Sequence, residues 1–131
     1  MAMEILYAIQ EMRNSILDQI FVGITSLGNS GMIWIIIGVA MLLFKKTRRT
    51  GIIVLFSLLL GYLIGNMGLK NLIQRSRPCW TDPSVELLIK NPHDYSFPSG
   101  HTLHSFAAAF AIFLSHKKAG IISLVLAFLI A

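Results

Sequence analysis

At 131 residues the chain has room for one domain, but 55% of it is hydrophobic and only 13% charged, and a mean hydropathy of +0.71 departs from the balance of a domain folded in water. The 11 Lys and Arg exceed the 6 Asp and Glu, for a net charge of +5, yet the cations are bunched rather than spread over a surface, which argues against nucleic acid as a partner. The single cysteine, Cys79, excludes an internal disulfide and a multi-cysteine metal site.

Residues 1–19 set Ile5, Leu6, Ile9, Met12, Ile16 and Leu17 against Glu4, Glu11, Arg13 and Asp18, the pattern of an amphipathic helix lying in the membrane interface. Glu4 and Glu11 stand where a cleavable signal peptide would carry basic residues. Residues 20–44 carry no charge, and although Gly28, Asn29, Ser30 and Gly31 weaken the run, it is long enough to be the first span. Lys45, Lys46, Arg48 and Arg49 follow at once and mark the cytoplasmic side. Residues 51–69 lead back out, with Gly61, Gly65 and Gly68 at spacings that allow close helix packing.

Residues 70–97 form the long polar stretch, expected as an extracytoplasmic loop. Residues 98–115 return as a small-residue-rich third span, ending on His116, Lys117 and Lys118. Residues 119–131 begin a fourth apolar run that rises ~20 Å, short of a ~30 Å hydrocarbon core. A helix ending there would leave carbonyls in hydrocarbon, so the expectation is an incomplete span and missing sequence after Ala131. The expected architecture is an all-α, polytopic transmembrane helix bundle forming a single membrane domain, 1–131.

That topology brings two polar clusters to one face. Lys70 leaves the second span, where a cation is costly unless it snorkels or meets an anion; alone it reads equally as an interfacial anchor. Arg75 and Arg77 follow within seven residues, and guanidinium groups match phosphate oxygens bidentately. Pro78 holds Arg77 extended. Pro98 is expected in the first helical turn, with the free N–H groups of Ser99, Gly100 and His101 forming an anion site. Ser96 or Ser99 also reads as a helix cap. His101 is a proton donor candidate, and His104 shares its face. Two histidines without a third ligand argue against zinc, so no metal and no cofactor are expected. His93 and Asp94 have no evident task.

The run Lys70 to Pro78, K-N-L-I-Q-R-S-R-P, followed by F-P-S-G-H-T at 97–102, resembles the type 2 phosphatidic acid phosphatase family. The resemblance covers about residues 18–131. It implies that Lys70 and Arg77 hold a substrate phosphate with Ser99 and the Gly100 backbone, that Arg75 is a looser accessory with His104, and that His101 is the catalytic acid. The family's nucleophile is a histidine in a third motif, S-R, five residues, H, three residues, D, oriented by its aspartate and passing through a phosphohistidine. These 131 residues do not contain that motif, which agrees with missing sequence after Ala131 and implies an inactive chain. The expected substrate is a lipid phosphate monoester or pyrophosphate, of phosphatidate, phosphatidylglycerophosphate or undecaprenyl pyrophosphate type, in a bacterial cell membrane; assembly into a homo-oligomer stays open. The alternative is a non-enzymatic anion-binding or transport module. A vanadate-dependent haloperoxidase relative would share the anion site, but those proteins are soluble.

Overall fold

A computed structural model describes residues 2–131, so Met1 of the expected 1–19 segment lies outside the described residues. Helices make up 74% of the chain, with no strand among the described residues. In chain order the helices are α1 (Ala2–Glu11), α2 (Ser15–Leu27), α3 (Met32–Leu42), α4 (Arg48–Gly61), α5 (Lys70–Ile73), α6 (Pro78–Thr81), α7 (Gly100–Ser115) and α8 (Lys117–Ile130). A short 3-10 turn, Asn29–Gly31, precedes α3, and a π-helical stretch, Tyr62–Leu69, joins α4 to α5.

Two segments expected to be continuous are broken. The 1–19 stripe is interrupted between α1 and α2, because Asn14 adopts an extended backbone and its side chain accepts from the Ile16 N–H, which caps a new helix. The 20–44 run is divided by Gly28–Gly31, and the helices on either side are bent by 49°. Gly31 takes a left-handed φ of 67° there, a conformation that costs a side-chain-bearing residue more.

The core lies where α3, α4, α7 and α8 meet, and is formed by Trp34, Val54, Leu58, Ala108, Ala109, Ala111, Ile112, Ala127 and Ile130. Small residues on α7 let its neighbours approach, and α7 packs most extensively with α8 and then with α4. The indole N–H of the fully buried Trp34 donates to Ser105 Oγ at 2.9 Å, so a large apolar side chain is oriented by one satisfied polar contact. Gly61 and Gly65 lie against Leu103, where a Cβ would come within 3.6 Å of Leu103 Cγ and within 2.2 Å of its Cδ2.

The basic turn between α3 and α4 closes α3: Thr47 Oγ1 and Arg48 Nε donate to the Met41 and Leu42 carbonyls, which have no partner within the helix. Among the described residues, one helix is long and apolar enough to cross a membrane, within Arg48–Thr81, or up to two if the bent α2–α3 pair counts as one span.

The tightest packing point separates two glycines sharply. A Cβ on Gly120 would lie 2.1 Å from Phe113 Cα, a backbone atom, whereas one on Gly23 meets nothing within 4 Å. Gly120→Ala is therefore expected to cost about 1–3 kcal/mol and to lower the thermal unfolding midpoint in detergent, while Gly23→Ala leaves it unchanged or slightly raised. Equal melting of the two variants would contradict this packing.

Candidate active site

The backbone around Lys70 is set by local rules. The π-helical stretch widens the turn just before it, a device found often at functional sites, and Gln74 ends α5 with a left-handed φ of 51°. Arg77 is extended, with φ −81° and ψ 148°, as its position before Pro78 requires, and it caps α6 with Pro78 in the first turn. Twenty residues further on, Phe97–Pro98 is a cis peptide and α7 starts at Gly100. Pro98 therefore lies ahead of the helix rather than in its first turn. Ser99 is the cap, its Oγ accepting from the Thr102 N–H at 3.4 Å; a serine cap satisfies a helix donor, which proline at that position does not. The N–H groups of Gly100 and His101 then stand at the open end of the helix.

These elements converge on a cavity of about 490 Å³. Lys70, Arg77, Ser99, Gly100, His101 and His104 all line it. Lys70 is buried, at 8% exposure, and its ammonium is paired with the Asp94 carboxylate. Arg77 donates from Nη2 to Asp94 Oδ1 at 2.8 Å and from Nε to the Asp94 carbonyl at 2.8 Å. One carboxylate thus bridges both cations, one oxygen to each. Partial burial pulls the Asp94 carboxyl upward, but Lys70 and then Arg77 outweigh it and hold the group below the ordinary value of 3.8.

The histidines are held by the helix ends around them. His101 Nε2 lies 3.0 Å from Asn29 Oδ1 in the turn that breaks the 20–44 run, and Thr25, near the end of α2, lines the same cavity. His104 Nδ1 lies 2.7 Å from the Gly100 carbonyl, so Nδ1 carries the proton and donates. Arg75 is not brought in: its carbonyl accepts from the N–H and Oγ of Ser96, at 2.8 and 3.0 Å, and its side chain is not among those lining the cavity. His93 is exposed and also outside the lining.

Two residues were missed by sequence reasoning. Asp94 had no assigned task yet is the partner of both cations. Asn66, on the π-helical stretch, lines the same cavity; its Oδ1 is buried and without a hydrogen-bond partner among the described residues, and it would lie 3.7 Å from a Cβ on Gly100. Its signal in the sequence was a polar side chain inside an apolar run, one turn before Lys70.

The loop carrying Asp94 is anchored from both sides. Ser96 Oγ donates to the Arg75 and Ser76 carbonyls, Trp80 Nε1 donates to the Pro92 carbonyl at 3.2 Å, and Trp80 meets Tyr95 edge-on at 6.0 Å between centroids. Further out, Tyr7 donates to the Asp82 carboxylate and Arg13 pairs with Glu86 at 2.8 Å, so the N-terminal helices dock on the outer part of the same loop.

Residues 50–131 match the PAP2 superfamily. The chain is 33% identical over 99 residues to a protein named Bacitracin transport permease protein BcrC from Bacillus licheniformis, covering 74% of this chain and 49% of that protein. It is 33% identical over 86 residues to an Undecaprenyl-diphosphatase from Sulfolobus acidocaldarius, covering 66% of this chain and 41% of that protein. The chain therefore spans about half the length of the curated relatives it matches. No solved structure matches it.

Because the folded state holds Asp94 at a depressed pKa, its ion pairs contribute stability above the ordinary carboxylate range and lose it as pH falls through the folded value. A carbon NMR titration should give Asp94 a midpoint below 3.8, and Lys70→Met should move that midpoint upward. A wild-type midpoint at or above 3.8 would contradict the bridge.

Proposed function

The chain belongs to the PAP2 superfamily, the family its two motifs resemble, and from that membership and the cavity we propose that it supplies the phosphate-holding part of a membrane phosphatase acting on lipid phosphate monoesters or pyrophosphates. One observation carries this reading: Lys70 and Arg77 converge on a single anionic group, the Asp94 carboxylate, beside the open N-terminus of α7. A carboxylate with one oxygen on each cation stands in for a phosphoryl group, whose oxygens match the same donors.

In the proposed reaction Lys70 and Arg77 take two phosphoryl oxygens, and the Gly100 and His101 N–H groups face a third, neutralising charge that grows as phosphorus is attacked. His101, kept in place by Asn29, donates the proton that the departing lipid oxygen needs. The attacking group, by family resemblance, is the third-motif histidine: its nitrogen bonds to phosphorus as the lipid oxygen leaves, and water then cleaves the phosphohistidine. In a longer chain carrying that motif after Ala131, the motif would follow directly on Ile130 and Ala131, which line the cavity.

The proposed setting is a bacterial cell membrane, crossed by residues 20–44, 51–69 and 98–115 as a single domain, with the fourth span starting at 119 and the 70–97 loop outside. Wide apolar exposure on the helices supports it: Leu43, Ile122 and Phe128 are 75%, 71% and 74% exposed, a surface that lipid tolerates and water does not. The basic turns support the orientation. His101 bonds to Asn29 and Ser105 to Trp34, so α3 and α7 start at the same end, and their Lys- and Arg-rich ends lie together at the other. Phosphatidate, phosphatidylglycerophosphate and undecaprenyl pyrophosphate are the candidate substrates. The diphosphatase name of one relative favours the last, and the transport name of the other supports the non-enzymatic anion-binding or transport alternative.

Phosphorus NMR titration of the purified chain should detect phosphate binding that Lys70→Ala and Arg77→Ala each weaken by roughly tenfold or more, since each removes a charge-assisted contact worth ~1.5–3 kcal/mol. The 131 residues should release little or no phosphate from a short-chain phosphatidate, whereas a longer chain with the third motif should do so with EDTA present. Full turnover by the 131 residues, insensitive to Lys70→Ala, would sink the reading; binding without turnover by the longer chain would favour the transport alternative.

A further inference from the structure

The bridge between Asp94 and the two cations has a consequence for what the site accepts. Two features make the carboxylate a displaceable ligand rather than a fixed support. Its side chain is 53% exposed, on a loop at the cavity edge. Arg77 is separately tied through Nε to the Asp94 main-chain carbonyl, so the guanidinium keeps its place when the carboxylate rotates away. The ammonium of Lys70, by contrast, is buried and cannot be left unpaired without a large penalty. The carboxylate therefore leaves only in exchange for another anion.

We propose that Asp94 is an internal competitor for the anion seat, setting an affinity threshold that a phosphomonoester or pyrophosphate head group passes and a monoanionic phosphodiester head group does not. This rests on the reading of the cavity as a phosphate site. Displacement weakens every incoming anion by the same factor, because the competent state is populated only when the carboxylate is out. A terminal phosphate, with a charge of about −1.5 to −2 near neutral pH, has affinity to spare. A phosphodiester carries the same single charge as Asp94 and competes against a group tethered at millimolar or higher effective concentration. Ordinary diester phospholipids surround such a site in great excess, so a uniform threshold keeps the seat from being filled by the wrong head group.

The test titrates the chain in detergent with methyl phosphate and with dimethyl phosphate, followed by phosphorus NMR. Asp94→Asn is expected to tighten both ligands by roughly tenfold, about 1.4 kcal/mol, and to bring dimethyl phosphate into the measurable range. Asp94→Glu should stay close to wild type. Glu86→Gln removes the same charge from the same loop, where it pairs with Arg13, and should change neither ligand. Because Asp94→Asn can loosen the loop, a second readout uses the unmodified chain: the Asp94 carboxyl carbon resonance should shift with methyl phosphate at the same midpoint as binding, while that of Asp82 stays still. An Asp94 resonance unmoved at saturation, an unchanged affinity in Asp94→Asn with the loop intact, or an equal gain in Glu86→Gln overturns the proposal. If Lys70→Ala weakens binding while these tests fail, the phosphate site stands and the competitor alone falls; if Lys70→Ala leaves binding unaltered, both fall.

Discussion

A lysine ammonium buried at the mouth of an apolar helix requires an anion, and the segment between α5 and α7 is folded around supplying one. Lys70 is held there by the helix that precedes it, and Arg77 by the proline that follows it. Neither can retreat far from the other, so their mutual repulsion and the desolvation of Lys70 must be offset locally. Asp94 does this with one side chain. The rest of the loop keeps Asp94 within reach: Ser96 is pinned to the Arg75 and Ser76 carbonyls, and Trp80 to Pro92.

The helices contribute a second constraint, which is that the start of α7 must face this pair. Its position is fixed by contacts to the elements around it: His101 to Asn29, Ser105 to Trp34, and Leu103 against Gly61 and Gly65. The break at Gly28–Gly31 is part of the same arrangement. It ends α2 beside α7, where His101 reaches Asn29, so a turn that interrupts an apolar run also orients the proposed acid. Packing of small residues in the core and placement of polar groups at the cavity are thus achieved by the same helices.

Much of this is legible in the residues themselves. Arg77-Pro78 announces an extended arginine, and Ser99-Gly100 a capped helix start, because both depend on neighbours one or two positions away. The motif pair resembled a family that the chain does belong to. What escaped depends on distance or on competition between local rules. Asp94 lies 24 residues from Lys70, and nothing in a polar loop says which acid folds back. Asn66 was hidden by the apolar run around it. Pro98 was expected inside the helix because proline suits a first turn, but Ser99 offered the stronger cap. The breaks at 12–14 and 28–31 were visible as Asn and Gly positions, yet hydropathy reports apolar length and not bending.

The central claim is that Lys70, Arg77 and the N-terminus of α7 form one anion seat that Asp94 fills in the absence of ligand. An experimental structure with tungstate, a heavy tetrahedral stand-in for phosphate, tests it most directly. The account predicts tungstate between the Lys70 ammonium, the Arg77 guanidinium and the Gly100 N–H, with the Asp94 carboxylate turned out of the cavity. Tungstate bound elsewhere, with Asp94 still bridging Lys70 and Arg77, would contradict it.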